Sequence, residues 1–309
     1  MGGLLRGRVA LVTGASKNIG KGMALELGAA GATVYLTART LQDTPGALGS
    51  LERTAAEINA AGGDAVPVQC DHGDDTSVAR LFEQIAQGHG RLDLVVNVAS
   101  PDFSTMVGRP FWELPLSDMT RCLEIGPRSN YVTTVLAARM MIPQGSGVII
   151  NISSHGANEY LLSVPYGAGK AAIDKVTQDT ALELRGYVIA VVSLWPGLVL
   201  TEGLLSHAVT EPDGRRTLDG LDISFGETPK FNGKAVVALA ADPDIMKRTG
   251  GSFRSSRLAV EYGFTEDDGS VPPEVLNLAD HLGDDEIPEF WKGVERFPDD
   301  SAGIETRET

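Results

Sequence analysis

Short apolar runs alternate with amphipathic stretches along most of the chain. Residues 8–13 (RVALVT) form an apolar run that ends in a turn, which predicts a buried strand. Residues 19–30 follow with Met23, Ala24, Leu25 and Leu27 on the buried side of a helix, and residues 33–37 make the next strand. A Gly-, Pro- and Ser-rich segment, residues 41–50, separates that strand from a helix over 51–61, which Gly62 and Gly63 stop. Strands over 65–70, 92–99, 148–153 and 188–194 then alternate with helices over 76–87, 117–141 and 166–185. Gly126 and Pro127 should disturb the first part of the long helix, since proline has no N–H to give and clashes with the preceding turn. A helix over 233–241 and a strand beginning at 251–253 complete the pattern. Strands apolar on both faces, set between amphipathic helices, predict an α/β fold: a doubly wound, mostly parallel sheet with helices on both faces. Ligands of such a sheet bind at the carboxyl ends of its strands. The simplest organisation is one domain over 1–260 and an extension over 261–309.

Charge sharpens this picture. The 309 residues carry 26 Lys and Arg against 41 Asp and Glu, a net charge of −15, which disfavours a nucleic-acid partner. Fifteen acidic residues against three basic ones fall between Glu261 and Thr309. Inside that stretch Ile287, Phe290, Trp291, Val294 and Phe297 recur at helix-like spacing, so this part is expected to dock. Residues from about Asp299 on have little to bury and are expected to be mobile. Cys70 and Cys122 are too few for a disulfide framework, and neither they nor the five scattered histidines show metal-ligand spacing. No apolar run approaches the roughly 18 residues of a membrane span. The opening MGGLLRGRVALVTG lacks the features of a signal peptide, so the expectation is a soluble, cytoplasmic protein.

Residues 13–20 join the first strand to the first helix through Thr13, Gly14, Ala15, Ser16, Lys17, Asn18, Ile19 and Gly20. A glycine-rich turn at this place lets backbone N–H groups approach a pyrophosphate, and the helix N-terminus favours its negative charge. The turn resembles the TGxxxGxG fingerprint of the short-chain dehydrogenase/reductase family, whose fold is of the Rossmann type. Asn18 stands where that family has its middle glycine. Asparagine tolerates positive φ better than other non-glycine residues, so the turn can survive. The resemblance makes Gly14, Ser16, Lys17, Asn18, Ile19 and Gly20 candidate cofactor residues.

The resemblance also implies the remaining site. NAD-binding members place an acid at the end of the second strand, where this chain has Thr37-Ala38-Arg39. Arg39 and Lys17 can instead pair with a 2′-phosphate, which favours NADP (as NADPH) over NAD. Asp71 and Asn97 match positions on the adenine side, and Ala99 lies in the segment that replaces the family's NNAG. Tyr166 and Lys170 match YxxxK; at i and i+4 on a helix they share a face, and an ammonium beside a phenol lowers its pKa. Ser154, twelve residues before Tyr166, would hold the substrate oxygen; the spacing is one shorter than the commonest, and one branch of the family looks similar in this respect. Pro196, Gly197, Val199 and Thr201 match PGxVxT, the nicotinamide-side segment.

The chain departs from the family in several places. Val98 and Ser100 replace the second Asn and the Gly of NNAG. Gly126 stands where the family carries an asparagine that holds a water linking the lysine to solvent; Glu124 and Asn130 are near but do not match. His155 reads as a loop residue at the pocket rim. The substrate walls are expected from residues 102–114, 160–164 and the loop after Gly197. Phe103, Met106, Phe111, Trp112, Tyr160, Leu161, Leu162 and Trp195, on these segments and their flanks, suggest a bulky apolar substrate. Residues 202–230 are polar and irregular enough for a lid. The expected activity is NADP(H)-dependent hydride transfer between the nicotinamide and a carbonyl or secondary alcohol. The rivals are non-redox chemistry on the same fold (cyclase, isomerase or lyase) and a non-catalytic cofactor-binding protein. Family resemblance further implies a homodimer or homotetramer through helices 117–141 and 166–185.

Overall fold

The computed structural model describes residues 3–103, 105, 106, 108–218 and 221–274. The stripe from Ile287 to Phe297 and the end from Asp299 lie outside the described residues. In chain order the elements are β1 (Val9–Thr13), α1 (Asn18–Ala29), β2 (Thr33–Ala38), α2 (Leu51–Ala60), β3 (Asp64–Gln69), α3 (Asp75–His89) and β4 (Leu94–Asn97). They continue with α4 (Leu116–Leu123), α5 (Ser129–Gln144), β5 (Gly147–Ile152), α6 (Val164–Leu184), β6 (Ile189–Trp195) and α7 (Glu202–Leu205). Then come β7 (Val209–Thr210), β8 (Arg216–Leu218), β9 (Leu221–Asp222), α8 (Pro229–Ala241), β10 (Ser252–Arg254) and α9 (Ser255–Tyr262).

Seven strands form one parallel sheet in the order β3-β2-β1-β4-β5-β6-β10. The predicted doubly wound sheet is borne out. The two-residue period of the strands divides the core: Ala10, Val12, Ile150 and Val192 pack under Met23, Leu27 and Phe231 of α1 and α8. Val9, Leu11, Ile149 and Val191 face Leu81 and Ile85 of α3, Met141 of α5 and Ala181 of α6. Reversal of the chain's winding beside β1 opens a crevice at the carboxyl ends of β1 and β4.

The long helix breaks where Pro127 predicts it. Residues Glu124–Arg128 form a π turn between α4 and α5, with Gly126 at φ −96°, ψ −106°. Ser129 Oγ donates to the carbonyls of Ile125 and Gly126 at 2.9 and 3.1 Å, replacing what the helix ladder loses. Residues 202–230 are more ordered than their composition suggests. They contain α7 and an antiparallel meander, β7-β8-β9, whose strands are too short and too polar to show alternation. Sequence reading also missed α9. Beyond it, buried Phe264 packs 5.2 Å from Phe231, and Thr228 N and Oγ1 each donate to a Glu266 oxygen at 2.7 Å. The start of the extension is therefore fastened to α8.

Candidate active site

The glycine-rich turn leaves β1 and enters α1. Asn18 adopts φ +54°, the left-handed conformation its position demands. Gly20 is needed for close approach, since a Cβ there would lie 2.3 Å from Gly14 O. Thr13 Oγ1 accepts from the N–H groups of Val98 and Ala99, each at 2.9 Å, tying the turn to the segment after β4. The N–H of Asn18 donates to Glu202 Oε2 at 2.7 Å, so a carboxylate already sits on the N-terminus of α1. That stand-in anion shows that the turn accepts negative charge, as a pyrophosphate site must. Ser16 is buried, Ile19 half-buried against the core, and Lys17 and Arg39 are exposed without an ion pair among the described residues.

Two adenine-side expectations come out differently in detail. The Asn97 side chain is 1% exposed and donates to Asn151 Oδ1 at 2.8 Å, which leaves it inside the sheet rather than on the crevice. Asp71 is exposed, and its Oδ1 accepts from Gly73 N at 2.9 Å in a tight turn. Sequence reading missed its neighbour His72, which is buried, with Nε2 2.8 Å from Thr37 Oγ1.

Ser154, Tyr166 and Lys170 come together. Ser154 follows β5, Ser163 caps α6, and the first turn of α6 delivers Tyr166. Tyr166 Oη donates to Ser154 Oγ at 2.9 Å, and Gly156 N donates to the same Oγ at 3.1 Å. A Cβ at position 156 would lie 2.7 Å from the Tyr166 ring, so only glycine admits this approach. Lys170 Nζ donates to Ile152 O at 3.1 Å and stands 5.6 Å from the Tyr166 ring centre. Burial dominates both titrations. Tyr166 is pushed up to about 12 by burial, against the Ser154 hydrogen bond, and burial brings Lys170 down to about 8.

A cleft beside this group is lined by Ala99, Pro101, Phe103, Cys122, Gly126 and Ile152, together with Tyr166 and Lys170. Gly126 thus stands on the wall where counting along the helix placed it. Phe103 covers Tyr166 edge-to-face at 4.8 Å. The other expected wall residues scatter. Met106 is fully buried with Leu114 and Cys122, whereas Phe111 and Trp112 are 57% and 67% exposed and meet edge-to-face. Tyr160 is also exposed, Leu161 and Leu162 are half-buried, and Trp195 is buried with its Nε1 donating to Asp174 at 3.3 Å. His155 lines a second small pocket with Trp195, Pro196, Gly197, Arg254 and Glu274.

The Pro196–Thr201 segment leaves the end of β6. Pro196 and Val199 are buried, and Thr201 Oγ1 caps α7 by accepting from Leu204 N at 3.1 Å. Glu227, unremarked in the sequence, holds this segment. Its backbone exchanges hydrogen bonds with Leu198 and Leu200, and its buried carboxylate accepts from Ser255 Oγ at 2.5 Å and Asn232 Nδ2 at 3.0 Å. A glutamate two residues before a helix-starting proline reads as solvated, so only the fold could reveal it.

The comparisons agree with this geometry. A family model described as short chain dehydrogenase matches residues 8–210. Dehydrogenase/reductase SDR family member 1 from Homo sapiens is 41% identical over 285 residues, covering 90% of this chain and 89% of its own; this is the branch to which the serine spacing pointed. A 7 alpha-hydroxysteroid dehydrogenase, solved with NADH and 7-oxo glycochenodeoxycholic acid, matches at 26% identity with a TM-score of 0.67, over 82% of this chain and 94% of its own. A metagenomic short-chain oxidoreductase in complex with NADP matches at 29% identity with a TM-score of 0.61, over 78% and 94%. The resemblance read from the motifs is borne out: the chain belongs to the short-chain dehydrogenase family, whose members are oxidoreductases that bind nicotinamide cofactors.

Proposed function

We propose that the chain is an NADP(H)-dependent oxidoreductase that interconverts a carbonyl and a secondary alcohol on a bulky apolar substrate. The observation that carries this reading is the Tyr166 Oη–Ser154 Oγ hydrogen bond of 2.9 Å, with Lys170 one helical turn beyond Tyr166. A nicotinamide, when bound, supplies or takes up the hydride. Ser154 holds the substrate oxygen in the place where it now accepts from Tyr166. Tyr166, neutral at physiological pH, gives its proton to the developing alkoxide, and Lys170 stabilises the phenolate left behind. Gly14, Ser16, Asn18, Ile19 and Gly20 hold the pyrophosphate side; Ala99, Pro196, Gly197, Val199 and Thr201 hold the nicotinamide side.

The preference for NADP rests on exposed Lys17 and Arg39 and on the missing acid after β2. Phe103, Pro101 and Ile152 around Tyr166 support an apolar substrate. Exposed Tyr131 and Ile142 on α5 and Leu182 on α6 support self-association as a dimer or tetramer through these helices. Cys70 and Cys122 are free thiols, which suits the reducing cytoplasm. No helix among the described residues is long and apolar enough to cross a membrane.

Titration of cofactor-stripped protein with NADPH and with NADH tests the reading. Tighter binding of NADPH is expected. Tighter binding of NADH overturns the cofactor assignment but keeps the oxidoreductase, and binding of neither overturns the redox reading in favour of non-redox chemistry.

A further inference from the structure

Asp174 lies on α6 one turn beyond Lys170 and two turns beyond Tyr166, so the three side chains share one helix face. It is 8% exposed. Its Oδ1 accepts from Ser193 Oγ at 2.6 Å and from Trp195 Nε1 at 3.3 Å, both on β6. Its Oδ2 is buried and has no hydrogen-bond partner among the described residues. The Ser153 hydroxyl, which donates to Lys170 O at 3.1 Å, also lies close enough to favour the anion, but neutral donors alone do not offset the cost of burying a carboxylate.

The cation that acts on Asp174 is Lys170: each favours the charged form of the other, against the burial of both. Lys170 spends one of its three protons on Ile152 O. The other titratable groups facing the pair are Tyr166 on the same helix and Cys122, whose Coulombic influence on Lys170 comes from α4. Arg254 lies 5.8 Å from the Trp195 ring, but it is paired with Glu274. Position 126, where the family carries an asparagine that holds a water linking the lysine to solvent, is glycine.

We propose that Asp174 is a positioning residue for the reaction, acting through Lys170: a buried carboxylate one turn along the same helix face favours the ammonium over the neutral amine beside Tyr166, in a site that has glycine at position 126. The proposal rests on the reductase reading given above for its catalytic meaning.

Competitive acetylation with trace acetic anhydride, read at the Lys170 peptide by mass spectrometry from about pH 6 to 11, measures the charge on Lys170 directly. Asp174→Asn keeps the shape and both Oδ1 hydrogen bonds while removing the charge. It is expected to lower the Lys170 midpoint by about one unit and, by halving the charged fraction, to slow turnover near pH 7 about twofold. Asp174→Glu is expected to restore much of both. An unchanged midpoint in a variant with the parent's thermal transition overturns the proposal. If Asp174→Asn does not fold, Asp174→Ser, which also removes the charge, is read in the same way: a lowered Lys170 midpoint supports the proposal and an unchanged one overturns it. Reduction of aryl and alicyclic ketones with NADPH by the parent protein tests the reductase reading separately. A parent that reduces none of them removes that reading, while labelling still decides whether Asp174 sets the charge on Lys170.

Discussion

The N–H of Asn18 and the carboxylate of Glu202, 184 residues apart in sequence, meet at 2.7 Å. Gly203 N returns toward Asn18 Oδ1 at 3.5 Å, so α7 is fastened to the glycine-rich turn at two points. Glu202 holds negative charge on the helix end proposed to receive a pyrophosphate. Glu202→Gln is therefore expected to tighten NADPH binding about fivefold, as repulsion between two anions is relieved. Isothermal titration of the two proteins checks this, and equal or weaker binding by the variant counts against it.

Arg39 and Lys17 flank the carboxyl ends of β2 and β1 as exposed cations. If they read a 2′-phosphate, Arg39→Ala should weaken NADPH about tenfold and leave NADH nearly unchanged, since only the former loses charge-assisted hydrogen bonds. Parallel loss of both cofactors would assign Arg39 a structural role instead.

Removing the Tyr166 hydroxyl leaves a ring of the same shape under Phe103. Tyr166→Phe should lower turnover by roughly 10²- to 10⁴-fold with cofactor affinity almost unchanged. Steady-state rates and a binding titration on the same preparation separate the two effects. Near-normal turnover would exclude Tyr166 as the proton donor.

His72 is buried beside Thr37, and burial holds its pKa down at about 4 against an ordinary 6.5. The unfolded chain therefore takes up a proton that the folded chain refuses between these values. This contribution to stability is present above about pH 6.5 and is lost as the pH falls toward 4, by up to about 3 kcal/mol. His72→Gln should flatten the fall in thermal midpoint between about pH 7 and 5. An equally steep fall in the variant would place the acid sensitivity elsewhere.

Elements made by local pattern were legible. The five residues of β1 are all buried, as an apolar run ending in a turn implies, and Pro127 broke the long helix where proline must. The left-handed φ of Asn18 followed from residue type at a known turn position. The spacing of Tyr166 and Lys170 on one helix placed them together without knowledge of the sheet. What escaped reading were residues whose surroundings come from distant chain. Glu202, Glu227 and Asp174 look like surface acids in sequence, yet their partners are supplied by the turn before α1, by α9 and by β6. Phe111 and Met106 are equally apolar, but only packing decides that one is exposed and the other fully enclosed. The upward push on Tyr166 belongs with these, because desolvation is a property of the folded interior.

The paired backbone contacts of Glu227 with Leu198 and Leu200, at 2.7 and 2.8 Å, draw the two ends of residues 201–226 together. A segment pinned at its base can change length at small entropic cost, about 0.6 kcal/mol for each doubling. Beyond this closure α7 is held a second time by Asn18, so a change of length is tolerated best in the meander β7-β8-β9. The chain can therefore gain or lose residues at this meander, by natural drift or by grafting, while the sheet beneath keeps its register.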